Sequence, residues 1–144
     1  MSIAKLVTAP IPATEHADAI LELAFLTSAA DGSLDELEVA AFRELVGCVR
    51  GREATQPEIE ELLGRFIVAL HGGSGVADRL RTVAKAIPAD LREIAFKVAV
   101  ALSLVDHDES EDEDELVGIL GATLGLAEKT IALSAAARDA IGAS

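Results

Sequence analysis

The sequence predicts an all-α protein: a compact bundle of about seven helices with two similar helix-turn-helix halves. Three observations carry this prediction. Hydrophobic residues make up 51% of the 144-residue chain but aromatics only 3%, with neither Trp nor Tyr, so the core must be built from Leu, Ile, Val and Ala. That composition suits packed helices better than sheets, which draw on β-branched and aromatic side chains. Apolar residues recur at helical spacing, and no segment alternates with period two for long. Finally, one helix-turn-helix pattern occurs twice, offset by 75 residues.

The elements follow in order. Residues 1–13 read as an irregular lead-in interrupted by Pro10 and Pro12, and residues 14–144 as a single helical domain. Thr14 caps a first helix with Ala17, Ile20, Leu21, Ala24, Phe25 and Leu26 on its apolar positions, ending near the Asp31-Gly32 turn. Asp35 caps the second, with Glu38 as its capping-box partner and Leu37, Ala41, Leu45 and Val46 as its buried stripe; Gly51 closes it. Thr55 and Glu58 form a second capping box, with Pro57 in the first turn of the third helix, where its missing N–H does no harm. "HGGSG" breaks that helix and links the two halves. A short fourth helix runs from about Val76 to Ala86. Pro88 opens a long fifth one, nearly apolar over Ala95, Val98, Ala99, Leu102 and Val105, and this is the predicted central helix. Ser110 caps the sixth, with Glu113 closing the box, and "LGL" at 124–126 ends it. Ala127 to Ile141 makes the seventh.

The formal net charge is -13. Such a field repels phosphate backbones and anionic membrane surfaces, which argues against nucleic acid and favours cations or basic protein surfaces as partners. Eight carboxylates fall in the ten residues from Asp106 to Glu115, without a Lys or Arg among them. The one cysteine, Cys48, precludes an intrachain disulfide and fits a reducing compartment. Its apolar context, "LVGCV", makes it a small core residue. No stretch reaches the roughly 18 uncharged apolar residues of a membrane span, so no direct membrane insertion is expected. "MSIAKLVTAPIPAT" makes a poor signal peptide, and the expected location is cytoplasmic.

"AADGSLDELEVAAFRELVG" (29–47) and "LVDHDESEDEDELVGILG" (104–121) share one pattern: an apolar helix end, an Asp, a short turn, a capping residue, an acidic first turn and an apolar helix. Asp31 matches Asp106, Asp35 matches Ser110, and Glu38 matches Glu113. An apolar helix running into Ala-Asp-Gly-x-Leu-Asp-x-x-Glu, followed by a second such element ending in Leu-Gly-Leu, resembles the TerB-like family, the tellurite-resistance and DjlA N-terminal-domain type, over roughly residues 15–140. The second copy departs from the family pattern, with His107 in place of Gly, Glu109 in place of an apolar residue and Ser110 in place of Asp. The resemblance implies two similar helical halves and an acidic site where the two turns meet, suspected of holding a divalent metal of the calcium or magnesium type. Carried over by position, its residues are Asp31, Asp35, Glu38, Asp106 and Glu113. It also implies a role in tellurite or general chemical stress, through protein partners in membrane-associated complexes and without enzymatic activity.

Read without the resemblance, the acidic run leaves three roles open. It can hold a cation, dock a basic partner, or complement the dipole of a solvated helix start. The alternating Asp106, Asp108, Ser110, Asp112 and Asp114 start like an EF-hand loop. However, Glu111 stands where the turn needs Gly, and Val117 where the loop needs its bidentate Glu. His107 could add a nitrogen ligand, or it is simply a solvated turn residue. His16 is expected to be exposed in a first turn, and His71 to end a helix. "HGGSGVADRL" lacks the Gly-Lys-Ser/Thr ending of a phosphate loop. No nucleophile–base constellation is visible. A helical carboxylate metallohydrolase would show Glu-x-x-His, which does not occur here. A plain structural or oligomerising module is the other alternative, and the sequence leaves the oligomeric state open.

Overall fold

Two helices that are buried on every side organise the protein. In the computed structural model, which describes residues 3–7, 9–28, 36–73, 75–103 and 118–141, these are α1 (Thr14–Ser28) and α5 (Arg92–Ser103). Every residue from Ala19 to Ser28 and from Val98 to Ser103 is buried. A helix wrapped in apolar side chains belongs at the centre of a bundle, and α1 and α5 pack on each other more extensively than any other pair. The other helices form the surrounding layer: α2 (Glu36–Arg50), α3 (Gln56–His71), α4 (Val76–Ala84), α6 (118–123) and α7 (Thr130–Ile141). Among the described residues there is no strand, so the all-α bundle expected from composition is what forms.

The duplication extends further than the acidic turns. A 3₁₀ turn (Ala89–Leu91) runs into α5, so this helical run starts at 89 against 14 for α1, an offset of 75. Downstream the offset becomes 74. Gly51 and Gly125, with φ of 73° and 75°, end α2 and α6, and α3 and α7 begin at Gln56 and Thr130. Both endings also share their hydrogen bonding. The Arg52 and Leu126 amides donate back to the Gly47 and Gly121 carbonyls, at 3.1 and 2.7 Å. This is the left-handed closure that glycine permits after the last helical turn. The order α1–α2–α3 thus recurs as α5–α6–α7, with α4 inserted between.

The cap at α3 forms as the sequence indicates. The Glu58 amide donates to Thr55 Oγ1 (3.4 Å), and the Thr55 amide donates to the Glu58 carboxylate (3.3 Å). Pro57 lies in the first turn. Phe66 of α3 meets Phe25 of α1 at 5.8 Å and the Phe42 ring of α2 edge-on at 6.3 Å. The protein's few aromatic residues thus join three helices.

Three expectations need correction. Leu37 is 58% exposed, and Glu38 is buried in its place. The inward stripe of α2 is Glu38, Ala41, Phe42, Leu45, Val46 and Val49, one position out of register from the sequence reading at its start. Cys48 is half-buried against the core rather than within it. His16 is half-buried, because the N-terminal segment covers the start of α1. The N-terminal segment packs on the core. Leu6, Val7 and Ile11 are buried, a 3₁₀ turn spans Ile3–Leu6, and the Ile11 amide donates to the Val49 carbonyl at 2.8 Å.

Candidate functional site

The acidic site suggested by the sequence is reached through the ends of the two central helices. Of its residues, Asp31, Asp35, Asp106 and Glu113 lie outside the described residues, as do Ser110 and His107. Glu38 is within them. It sits on the first turns of α2 and is only 5% exposed, so its carboxylate has been drawn into the protein beside the α1–α2 connection. The last described residues of α1 and α5, Ser28 and Ser103, are both buried. Ser103 Oγ donates to the Val100 carbonyl (2.7 Å), as a serine in a last helical turn commonly does. Ser28 Oγ is buried and has no hydrogen-bond partner among the described residues. A buried polar atom left in this way lacks a compensating contact. It stands three residues ahead of Asp31. The donor set Asp31, Asp35, Glu38, Asp106 and Glu113 is entirely carboxylate oxygen, which is hard-cation chemistry and not that of a thiophilic metal. Among the described residues alone, no three His, Cys, Asp or Glu side chains gather into a metal centre.

A second charged region was not foreseen from the sequence. Asp18 and Glu22 lie one turn apart on α1 and face a cleft of about 350 Å³ between α1, α3 and α4. Arg79 of α4 grips Glu22 with Nε at 2.5 Å and Nη2 at 2.9 Å. Asp18 accepts from Arg50 of α2 (3.1 Å) and Arg65 of α3 (3.2 Å). Arg50 reaches on to Glu58, which Arg52 also holds at 2.6 and 3.1 Å. The Arg52 hydrogen bonds, joined by those from Arg50 and the Thr55 amide, lower the Glu58 carboxyl to about 2 against the working of partial burial. Partial burial opposes the Arg50 charge, but its bonds to Asp18 and Glu58 outweigh this and raise its pKa. The Glu22 hydrogen bonds likewise raise that of Arg79.

The chemistry of this cluster is fastening. Each carboxylate is already met by at least two arginine N–H donors, so neither an acid–base pair nor an open ligand set results. It ties the outer helices α2, α3 and α4 to central α1. The signal in the sequence was Glu22 itself, a carboxylate between Leu21 and Leu23 in a stretch, Ala19 to Leu26, that is otherwise apolar. Such a residue needs a cationic partner.

Cys48 borders an open groove with Arg43, Arg52 and Glu44. Burial first, and the Glu44 charge second, push its thiol up. That disfavours the thiolate a nucleophile needs. No described helix is long and apolar enough to cross a membrane. Comparison with protein-family models, with curated proteins and with solved structures found no match.

Proposed function

We propose that this chain is a non-enzymatic, TerB-like helical adaptor acting in a chemical stress response such as that to tellurite. In this reading its two acidic turns hold a divalent cation and present a charged surface to a basic partner protein. The supporting observation is the duplicated frame: two central helical runs whose starts, at 14 and 89, are 75 residues apart, the same offset that relates the two acidic segments in the sequence. Asp31, Asp35, Glu38, Asp106 and Glu113 would hold the cation. All-oxygen donors favour calcium or magnesium, and a bound cation there would offset the mutual repulsion of the turns. The buried Glu38 carboxylate and the unpartnered Ser28 hydroxyl fit such a site. The single cysteine fits a cytoplasmic setting, and the net charge of -13 fits a basic protein surface, which could belong to a membrane-associated complex, rather than nucleic acid.

The test is calorimetric titration of Ca²⁺, Mg²⁺, Mn²⁺ and Zn²⁺ into chelator-treated protein, with melting followed in parallel. The expected result is saturable binding of a hard cation with a raised melting temperature, lost in Asp31→Ala and Asp106→Ala alike. Absence of both heat and melting shift in the unmodified protein defeats the cation reading.

A further inference from the structure

We propose that the cleft between α1, α3 and α4 binds a free α-amino acid with an apolar side chain, its carboxylate taken by Arg65 and Arg79 and its ammonium by Glu15. Asp18 and Glu22 at this cleft are occupied, but the arginines that hold them are not exhausted. Arg79 gives Nε and Nη2 to Glu22, and Arg65 gives Nη2 to Asp18. A guanidinium carries five N–H donors, and Nη1 of each of these arginines donates to nothing among the described residues. Arg65 Nε lies 4.0 Å from Glu61, too far for a hydrogen bond. The two carboxylates that fix these arginines stand one turn apart on α1, about 6 Å along its axis. One ligand carboxylate can bridge guanidiniums held at that spacing.

The charges agree. The formal net charge is -13, yet this cluster sets four arginines (Arg50, Arg52, Arg65 and Arg79) against three carboxylates (Asp18, Glu22 and Glu58). The local surplus is positive and suits one added carboxylate. Glu15 lines the same cleft one turn before Asp18 and has no cationic partner among the described residues. Glu15, Asp18 and Glu22 thus form a row on one face of α1. The last two are met by arginines from other helices, and the first is not. A simple anion would leave Glu15 unmet, and a simple cation would leave the guanidinium donors unused. A zwitterion satisfies both. The remaining lining is apolar. Phe66 and Val83 are buried in the wall, and Ala19, Ala69 and Ala86 leave room that larger side chains would close. A volume of about 350 Å³ is at the small end for ligand clefts, which suits a single amino acid.

The proposal is independent of the cation site and is tested by calorimetric titration of leucine, valine and phenylalanine into the full chain in the presence of chelator. Saturable one-to-one binding of at least one of them is expected. Analogues of the bound amino acid that lack its ammonium or its carboxylate (for leucine, 4-methylpentanoate and 3-methylbutylamine) should each bind about tenfold or more weakly. Glu15→Gln should weaken the amino acid about tenfold and leave the analogue without an ammonium unaffected or tighter. Arg65→Gln should weaken both. Glu15 is exposed and the Arg65 side chain is 50% exposed, so melting should change little in either variant. Absence of binding by all three amino acids overturns the proposal. An amino acid held no better than its analogue without an ammonium, or held equally well in Glu15→Gln, overturns it as well.

Discussion

Arg79 holds Glu22 by both carboxylate oxygens, at 2.5 and 2.9 Å, and this pair is what fastens the short helix α4 to central α1. The Glu22 side chain is 9% exposed and that of Arg79 30%. Removing the arginine therefore leaves a largely buried carboxylate unmet, although water reaches part of the pair. Arg79→Ala is expected to cost about 2 kcal/mol in urea unfolding, below the full penalty of a completely buried pair. Replacing both partners by apolar residues, in Glu22→Leu with Arg79→Met, should recover most of the loss, because no unpaired charge remains. A double variant as unstable as Arg79→Ala alone would show that the pair does more than compensate its own burial.

Glu58 gives stability a defined acid dependence. Its carboxyl sits at about 2, against an ordinary value of 4.5, chiefly because Arg52 and Arg50 hydrogen-bond its charged form. A carboxyl lowered on folding contributes stability that is fully present above its unfolded value and is lost as pH falls through the folded one. The advantage of the native protein over Glu58→Gln should therefore be constant above pH about 4.5 and shrink steadily toward pH about 2. Glutamine is a suitable comparison because it can still close the capping box with Thr55. Urea midpoints of both proteins across that range check this. A gap that does not narrow would mean the arginines stabilise the neutral group equally well.

What was legible in the sequence, and what was not, follows from the range of the forces involved. Helix starts and stops are local, and Thr55, Glu58, Pro57, Gly51 and the Leu-Gly-Leu of 124–126 marked them correctly. The centrality of α5 was legible because its last turns are apolar all round. That α1 shares the centre was missed, because Glu22 interrupts its apolar pattern, and only Arg79, 57 residues away, makes that carboxylate tolerable. Leu37 misled for a similar reason. Leucine is usually the residue to bury, but the register of α2 is set by Phe42, Leu45, Val46 and Val49, which turns Leu37 outward and Glu38 inward. The N-terminal segment has no helical period to read, and its place is set by the Ile11–Val49 hydrogen bond and its buried apolar side chains. The acidic segments could be recognised as a repeated pair from sequence, and the matched starts of the two central runs, at 14 and 89, extend that repeat into the fold.

Cys48 is expected to react slowly with thiol reagents despite its partial exposure. Burial and the neighbouring Glu44 both raise its pKa above the ordinary thiol value, so little thiolate exists at neutral pH. Glu44→Gln removes the smaller of the two causes and should quicken alkylation modestly. Rates measured against pH should keep rising beyond the range where an unperturbed cysteine levels off. A rate at neutral pH equal to that of an unstructured cysteine peptide would overturn this.

Alanine in place of three glycines should act with different signs, because each glycine is there for a different reason. Gly64 meets nothing and lies within regular helix, so Gly64→Ala should stabilise the protein by up to about 1 kcal/mol. A Cβ on Gly125 would meet only Arg92 Nη1, at an ordinary 3.9 Å, but φ there is 75°, so Gly125→Ala should cost about 1 kcal/mol from backbone strain alone. Gly121 lies where α6 closes on α7, and a Cβ there would stand 2.5 Å from Thr130 Oγ1, too near for the helical preference of alanine to prevail. Gly121→Ala should cost about 1–2 kcal/mol, as overpacking at a helix contact does. Thr130 Oγ1 is tied to the Leu126 carbonyl at 3.1 Å, so turning aside loses that hydrogen bond. Thr130→Ala removes the clashing oxygen, and Gly121→Ala should then be nearly neutral in that background. This non-additivity, read from a double-mutant cycle of urea midpoints, distinguishes a close α6–α7 contact from a general intolerance of alanine at position 121.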